Sequence, residues 1–278
     1  MRVIITGAAG GIGRAMCLGL AATGADVTMV DSAAGELGAA AAEAGAVPHA
    51  GGILPIVADI TREGDVGEIV ERTRARFGGI DALVNNAAVG RGSIRADFMT
   101  SPIKLWEITP DQWRRIVDVN VNGFFLMTRA VVPSLLQAGW GRIISVTTSL
   151  DTMFRSGAAA YGGSKAALEA YTATLAADLA GSGVTANIVV PGGPVNTAMI
   201  PAAWAVARDR LIQPAVMVPP LLWLLSHEAD AVNGRRFVAA AWDTAATGVE
   251  AAVAAGAPAA WPQLGEQAII PGPAMSAR

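Results

Sequence analysis

The stretch Arg2-Val-Ile-Ile-Thr6-Gly7-Ala-Ala-Gly10-Gly11-Ile12-Gly13 decides the fold of this chain. Its first residues are mostly β-branched and apolar, which is typical of a buried parallel strand. The glycine-rich turn that follows leads directly into a helical pattern from Arg14 to about Thr23. A strand, a glycine turn and a helix in this order let backbone N–H groups at the helix N-terminus hold a pyrophosphate. The stretch therefore predicts a dinucleotide site at Gly7, Gly10, Gly11, Ile12 and Gly13.

Strand-like runs continue to alternate with helical patterns as far as about residue 240. The further strands are predicted at residues 26–30, 53–58, 82–85, 141–147, 185–190 and 236–240. Strands and helices that alternate at this spacing form a doubly wound parallel sheet. We therefore predict a single α/β domain with a seven-stranded parallel sheet over residues 1–240. Two short helices are expected between residues 199 and 225, and another near residues 249–255.

The residues that follow, 241–278, are rich in Ala, Gly and Pro. They are predicted to be a C-terminal extension that packs on the domain or on a neighbouring subunit. The chain is 53% hydrophobic and 15% charged, so a sizeable core is expected.

Composition and charge argue against several classes of function. The net charge is -3 and no basic stripe is visible, which argues against a nucleic-acid partner. The single cysteine, Cys17, excludes an intrachain disulfide and suits a reducing compartment. The longest apolar run, residues 215–225, contains two prolines and is too short to span a bilayer. No residues have metal-ligand spacing, so we expect a cytoplasmic protein without a metal or a membrane partner.

Asp31 ends the second predicted strand, where a carboxylate can accept hydrogen bonds from both hydroxyls of an adenosine ribose. The same carboxylate repels a 2′-phosphate, and the next residue, Ser32, offers no positive charge to bind one. An ordinary turn or helix N-cap aspartate is the alternative interpretation. The position after the glycine turn favours NAD over NADP. Asp59 and Ile60 end the third strand and are predicted to contact the cofactor as well.

Tyr161 and Lys165 are four residues apart, on one face of a predicted helix. A phenol has an ordinary pKa of about 10, which is too high for a base near neutral pH. A neighbouring positive charge lowers that pKa toward the working range. The pair therefore predicts a tyrosine that acts as a general acid or base.

Several motifs in this order resemble those of the short-chain dehydrogenase/reductase family. The motifs are Thr6-Gly7-xxx-Gly11-x-Gly13, Asn85-Asn86-Ala87, Asn120, Tyr161-xxx-Lys165 and Pro191-Gly192, followed by Thr197. The match covers about residues 2–240, with Ala88 where the family usually has glycine. The resemblance implies a Rossmann-like fold, a nicotinamide dinucleotide as cofactor and a homodimer or homotetramer. It also implies cofactor contacts from Asn86, Ala87, Ala88, Tyr161, Lys165, Pro191, Gly192, Val195 and Thr197.

The resemblance implies a catalytic set of Tyr161, Lys165, Thr148 and Asn120. The family's catalytic serine falls on Thr148 here, which keeps the hydroxyl but has a stiffer side chain. Ser149 is the alternative if the register shifts locally. Asn120 would hold a water that links Lys165 to solvent. A second departure is the turn from Pro191 to Thr197, which is one residue longer than usual.

The resemblance implies hydride transfer between NAD(H) and a secondary alcohol or ketone. Apolar candidates suggest an apolar or cyclic substrate: Phe98, Met99, Trp106, Met153, Phe154, Met199 and Trp204. Arg91, Arg95 or Arg155 could instead meet a carboxylate or phosphate, and a sugar or polyol is a further alternative. Other interpretations of the chain are an inactive cofactor-binding sensor or scaffold and an NADP-dependent carbonyl reductase.

Overall fold

A single sheet runs through the molecule, of which the computed structural model describes residues 1–201 and 204–263. Seven strands are mutually parallel: β1 (Arg2–Thr6), β2 (Asp26–Asp31), β3 (Ile53–Val57), β4 (Ala82–Asn85), β5 (Gly141–Val146), β6 (Val184–Val190) and β7 (Arg235–Val238). An eighth strand, β8 (Gly256–Pro258), pairs antiparallel with β7. The sheet order is β3-β2-β1-β4-β5-β6-β7-β8. The predicted doubly wound sheet in a single α/β domain is confirmed, and the strand count is corrected from seven to eight.

Helices cover both faces of the sheet. Among the described residues they are α1 (Gly11–Ala21), α2 (Ala34–Gly45), α3 (Glu63–Phe77), α4 (Pro110–Val117), α5 (Gly123–Ala138), α6 (Leu150–Phe154), α7 (Ala159–Asp178), α8 (Val218–Leu224) and α9 (Gly248–Ala255). Apolar side chains of α1, α2 and α8 pack with one face of the strands. Those of α3, α5 and α7 pack with the other face, so the parallel strands are buried between two helical layers.

The neighbouring strands β1 and β4 form the switch point of the sheet. From β1 the chain proceeds outward through β2 and β3, and from β4 it proceeds outward on the other side. Loops that leave adjacent strands in opposite directions open a crevice at the carboxyl ends of the strands. The fold therefore brings the ends of β1, β2, β4, β5 and β6 to one cleft.

The helical run from Pro110 to Ala138 changes character in its middle. It begins at a capping box, in which Gln112 N–H donates to Thr109 Oγ1 at 3.3 Å and Thr109 N–H donates to Gln112 Oε1 at 3.0 Å. Residues Asp118–Asn122 then form a π-helical turn between α4 and α5. Its length and composition alone would let this run cross a membrane. Yet one side of α5 packs in the core with the sheet, so the run is a helix of the domain.

One prediction about an irregular region needs correction. No α-helix forms in the described part of residues 199–213, where a single 3₁₀ turn occupies Arg208–Arg210. Pro201 and the charged run Arg208–Arg210 interrupt the apolar pattern there, and only the second predicted helix forms among the described residues, as Pro214–Met217 and α8.

The described part of the C-terminal region packs against the edge of the domain. Ala251, Ala252 and Ala255 of α9 are buried, and the rings of Trp242 and Trp223 lie 5.5 Å apart. Strand β8 has no apolar alternation in its sequence Gly-Ala-Pro, so periodicity could not reveal it. Residues 264–278 of the predicted extension lie outside the described residues.

Candidate active site

The glycine turn after β1 excludes side chains at three of its four glycines. Gly7 and Gly11 have φ of +67° and +54°, a region that side chains disfavour. A Cβ at Gly13 would lie 1.9 Å from the carbonyl oxygen of Gly7. A Cβ at Gly10 would instead meet open space. The turn therefore forms a cradle of exposed backbone at the start of α1, as a pyrophosphate requires.

Asn86 ties the end of β4 to this turn. Its Nδ2 donates to the carbonyl oxygens of Thr6 at 2.9 Å and Gly7 at 3.0 Å. The Thr6 hydroxyl in turn accepts the N–H groups of Asn86 and Ala87, both at 3.1 Å. The Asn86 side chain thus holds the glycine turn in place, and Ala87 and Ala88 line the cleft beside it.

Asp31 also faces the glycine turn. One carboxylate oxygen accepts Ala9 N–H at 3.0 Å, and the other accepts Ala33 N–H at 3.1 Å. Each oxygen can accept a second hydrogen bond, so capacity for ribose hydroxyls remains. Asp31 and Ser32 line an adjoining cavity of about 420 Å³ together with Asp59 and Ile60. Asp59 accepts hydrogen bonds from Thr61 N–H at 2.9 Å and from its hydroxyl at 2.8 Å.

Tyr161, Lys165 and Thr148 line one cavity with the glycine turn, whose volume is about 570 Å³. Tyr161 and Lys165 lie one helical turn apart on α7, so both point to the end of β5. The Lys165 ammonium is buried and donates to the carbonyl oxygen of Val146 at 2.8 Å. Burial lowers the pKa of Lys165 to about 8. The protein therefore holds an ammonium that loses its proton readily in the cofactor-free state.

The pKa of the Tyr161 phenol depends on Arg91, a cation that the sequence analysis did not pair with it. Burial raises the pKa of Tyr161 above its ordinary value, while the guanidinium of Arg91 and the hydroxyl of Thr148 act to lower it. The expectation that Lys165 lowers this pKa together with the bound nicotinamide stays a prediction. In this structure the ammonium donates to the carbonyl oxygen of Val146, and Arg91 is the cation that lowers the phenol pKa.

The two candidate hydroxyls after β5 have different partners. The Thr148 hydroxyl lies beside Tyr161 and favours its ionised form. The Ser149 hydroxyl shares a 2.9 Å hydrogen bond with the Thr152 hydroxyl, at the start of α6. Both residues line the cavity, but only Thr148 is engaged with the phenol. The geometry thus favours the first of the two predicted alternatives.

A buried ion pair supports the strand end that carries Thr148. Arg236 Nε donates to Glu169 Oε1 at 2.6 Å, and both side chains are buried. Arg236 also donates to the carbonyl oxygen of Thr148 at 3.2 Å, and the Thr147 hydroxyl donates to Glu169 at 2.8 Å. The sequence analysis missed this pair, because 67 residues separate its members.

Asn120 lies in the π-helical turn and is fully buried. Its Oδ1 accepts Val89 N–H at 2.7 Å, while Nδ2 donates to Val89 O at 3.1 Å and Ser164 Oγ at 2.9 Å. The side chain therefore joins the loop after β4 to the helix of Tyr161. Both amide hydrogens are used, so its predicted contact with a relay water stays a prediction.

The loop after β6 closes the cleft from the other side. Pro191, Gly192, Val195 and Thr197 all line the main cavity, as predicted for cofactor contacts. A Cβ at Gly11 would lie 2.8 Å from Thr197 Cγ2, so the threonine is in contact with the glycine turn.

The apolar residues predicted for the substrate pocket divide into two groups. Phe98, Met99 and Met199 line the main cavity. Trp106 and Phe154 are 82% and 79% exposed, and Met153 is buried under α7 next to Gly162. Trp204 does not line the cavity. Exposure of an aromatic side chain depends on the course of an irregular loop, which periodicity does not predict.

The residues of the cleft fit a nicotinamide dinucleotide. The glycine turn at Gly7–Gly13 offers backbone N–H groups with no side chain at its four glycines, and Asp31 retains acceptor capacity at the end of the next strand. The cavity continues from there to Tyr161 and Lys165. Among the residues that the structure describes, no group of His, Cys, Asp or Glu side chains could hold a metal ion.

Comparisons with known proteins agree with this geometry. The family model described as short chain dehydrogenase matches residues 1–205. A 3-oxoacyl-[acyl-carrier-protein] reductase of Synechocystis sp. is 36% identical over 68% of this chain and 72% of its own length. A 2-(R)-hydroxypropyl-CoM dehydrogenase of Xanthobacter autotrophicus is 32% identical over 84% of this chain and 95% of its own.

A solved structure has the same fold. The 3-ketoacyl-(acyl-carrier-protein) reductase from Brucella melitensis, complexed with NADH, superposes with a TM-score of 0.71 at 29% identity. The match covers 83% of this chain and 93% of that one. The chain therefore belongs to the short-chain dehydrogenase family. It is an oxidoreductase of the ketoreductase type that binds a nicotinamide dinucleotide.

Proposed function

We propose that the protein transfers a hydride between NAD(H) and a small secondary alcohol or ketone, with Tyr161 as general acid or base. One observation carries the proposal: Tyr161, Lys165 and Thr148 line the same cavity as the glycine turn. A carbon that carries a hydroxyl or keto group can thus lie between the phenol and the cofactor site. No such arrangement is needed for a sensor or scaffold that only binds the cofactor.

The chemistry divides between the cofactor and the protein. When bound, the nicotinamide accepts the hydride from the alcohol carbon or supplies it to the keto carbon. In the oxidation direction the hydroxyl proton passes to Tyr161, and in the reduction direction Tyr161 returns it to the oxygen. Thr148 donates a hydrogen bond to the same oxygen, where negative charge develops. Lys165 would bind the nicotinamide ribose, and Asn120 holds the helix of Tyr161 against the loop after β4.

Asp31 supports NAD rather than NADP. Its carboxylate lies at the end of β2 with Ser32 beside it, in the cavity that an adenosine ribose would occupy. A 2′-phosphate there would be repelled by the carboxylate. The related structure from Brucella melitensis holds NADH, which also supports this assignment.

The proposed setting is a cytoplasmic homodimer or homotetramer without nucleic-acid or membrane partners. The family resemblance and the net charge of -3 support it. Phe125 on α5 and Tyr171 on α7 are 57% and 50% exposed, which is consistent with helices that contact another subunit.

The test is cofactor reduction by the purified protein with a panel of secondary alcohols, run with NAD+ and NADP+ side by side. We expect turnover with NAD+ and a loss of at least about 100-fold in Tyr161→Phe, because the proton acceptor is removed. Cofactor binding by the variant is checked separately, by fluorescence titration with NADH.

Two outcomes would contradict the proposal. Near wild-type turnover in Tyr161→Phe with cofactor bound would exclude the tyrosine as acid or base. Tight NAD+ binding without turnover on a broad panel would favour the sensor interpretation. Preferred turnover with NADP+ would overturn the cofactor assignment alone.

A further inference from the structure

The substrate end of the main cavity contains an arginine with no carboxylate partner among the described residues. Arg91 follows β4 in the 3₁₀ turn Arg91–Ser93 and lines the cavity with Tyr161. Its guanidinium lies over the ring of Phe98, 4.5 Å from the centroid, and one nitrogen is 3.9 Å from Met99 Sδ. A guanidinium carries five N–H donors, and a thioether sulfur is a weak acceptor. Most donors of Arg91 are therefore available to a ligand in the cavity.

A second cation lines the same part of the cavity. Arg155 follows α6, and its guanidinium lies 3.7 Å from the carboxylate of Asp151, which lines the cavity too. One negative and two positive side chains leave this end of the cavity with a net positive charge. Burial and the charge of Arg155 both lower the pKa of Arg91, and Tyr161 opposes them only in part.

We propose that the substrate carries an oxyanion group, in the first instance a carboxylate, which binds Arg91 and Arg155 while its hydroxyl or keto carbon lies at Tyr161. The inference rests on the proposed function and names the substrate class for it: a short hydroxy acid or oxo acid. The apolar side chains of Phe98 and Met99 contact the carbon chain between the two ends.

An anionic substrate explains features that a neutral one does not. A half-buried guanidinium over an aromatic ring has lost part of its hydration, and a planar carboxylate restores paired hydrogen bonds. A neutral alcohol would leave that charge facing an apolar group in the cavity. The positive end of the cavity also favours entry of an anion from solvent.

The test compares oxo acids with their neutral methyl esters as substrates for NADH-dependent reduction. Pyruvate, acetoacetate and levulinate place the carboxylate at increasing distance from the keto group, and each ester keeps the carbon skeleton. We expect kcat/KM to be higher for the best acid than for its ester by about 10- to 100-fold, the range for hydrogen bonds to charged groups. This preference should fall to a few-fold in Arg91→Gln, where Arg155 alone remains to bind the carboxylate, and recover in part in Arg91→Lys.

Arg114→Gln is the matched control, because it removes the same charge from an exposed site on α4 that pairs with Asp111. It should keep the preference for the acid. A uniform loss for acids and esters in Arg91→Gln would overturn the inference and would mean that Arg91 acts through the Tyr161 phenol. An ester preference in the wild-type protein would also overturn it.

A second readout separates this inference from the proposed function. Binding of each acid to the NADH complex is measured by its effect on NADH fluorescence, whether or not turnover occurs. Acid binding that Arg91→Gln weakens, without turnover of any compound, would support the anion site and contradict the proposed reaction. Turnover of neutral ketones without acid binding would support the proposed reaction and contradict the anion site.

Discussion

The two halves of the cleft are held together in different ways. In the cofactor half, strand ends in register bring Gly7, Asp31 and Asn86 together, and most bonds there involve the backbone. The substrate half consists of residues 89–109 and 198–213, in which no β-strand or α-helix lies within the described residues. Side chains hold these loops: the Arg95 guanidinium forms an ion pair with Asp97 at 2.8 Å and donates to Ser101 Oγ at 3.0 Å.

This difference explains why the fold determines the reaction class and leaves the substrate open. A larger side chain introduced in the cofactor half would contact backbone that cannot move without disturbing the sheet. A larger side chain introduced in the substrate half would contact flexible side chains, such as Met199, which packs against Gly90. Arg91 can therefore specify a substrate without any consequence for the strands.

The largest expected effect concerns Thr148, which lies where the two halves meet. Thr148→Val keeps the side-chain shape but removes the hydroxyl beside Tyr161, so we expect kcat to fall by about 100- to 1000-fold. Thr148→Ser should retain most activity. Steady-state kinetics with the best substrate measure both variants.

Ser149→Ala is the matched control for this prediction, since the Ser149 hydroxyl bonds Thr152 rather than the phenol. It should stay within a few-fold of the wild-type protein. A large loss in Ser149→Ala together with a small one in Thr148→Val would assign the catalytic hydroxyl to Ser149.

Residues at strand ends could be predicted from the sequence because the sheet places them. The glycine turn, Asp31, Thr148 and the Tyr161–Lys165 pair all follow or face a strand, and all of them line the two adjoining cavities. Periodicity and turn chemistry determine such positions.

The other features of the site depend on tertiary contacts, which local sequence patterns do not predict. Arg91 was predicted as a candidate for an anion, but its approach to the Tyr161 phenol depends on the course of a long loop. The Glu169–Arg236 pair joins α7 to β7, and β8 forms because α9 returns the chain to the sheet edge. The hydrogen bond from the Lys165 ammonium to Val146 likewise depends on how α7 packs against β5.

A smaller effect contrasts one glycine from each half. A Cβ at Gly13 would lie 1.9 Å from Gly7 O, whereas a Cβ at Gly92 would meet Phe98 Cε1 at an ordinary 3.7 Å. We expect Gly13→Ala to lower the free energy of unfolding by about 1–3 kcal/mol, as overpacking does. Gly92→Ala should change it by less than about 0.5 kcal/mol. Chemical denaturation of the cofactor-free protein measures both, and equal losses would contradict the contrast between the halves.

The smallest effect concerns Lys165, which belongs to both halves. Burial lowers its pKa from 10.5 to about 8, so between these values the unfolded chain binds more protons than the folded protein. The contribution of Lys165 to the free energy of unfolding must then rise with pH, by roughly 1–2 kcal/mol between pH 8 and pH 9.5. Burial raises the pKa values of Cys17 and Tyr161, which act in the opposite direction: the thiol offsets part of the rise in the same range, and the phenol acts only above about pH 10.

Chemical denaturation of the cofactor-free protein at these two pH values tests this sign. Lys165→Met should lose the rise, because the variant has no buried ammonium to deprotonate. Lys104→Met, which removes an exposed lysine, should keep it. If Lys165→Met retained the full rise, the ammonium would not be desolvated in the free protein. Water would then reach the Lys165 ammonium despite its hydrogen bond to Val146. The cofactor half would exclude less water than its backbone contacts indicate.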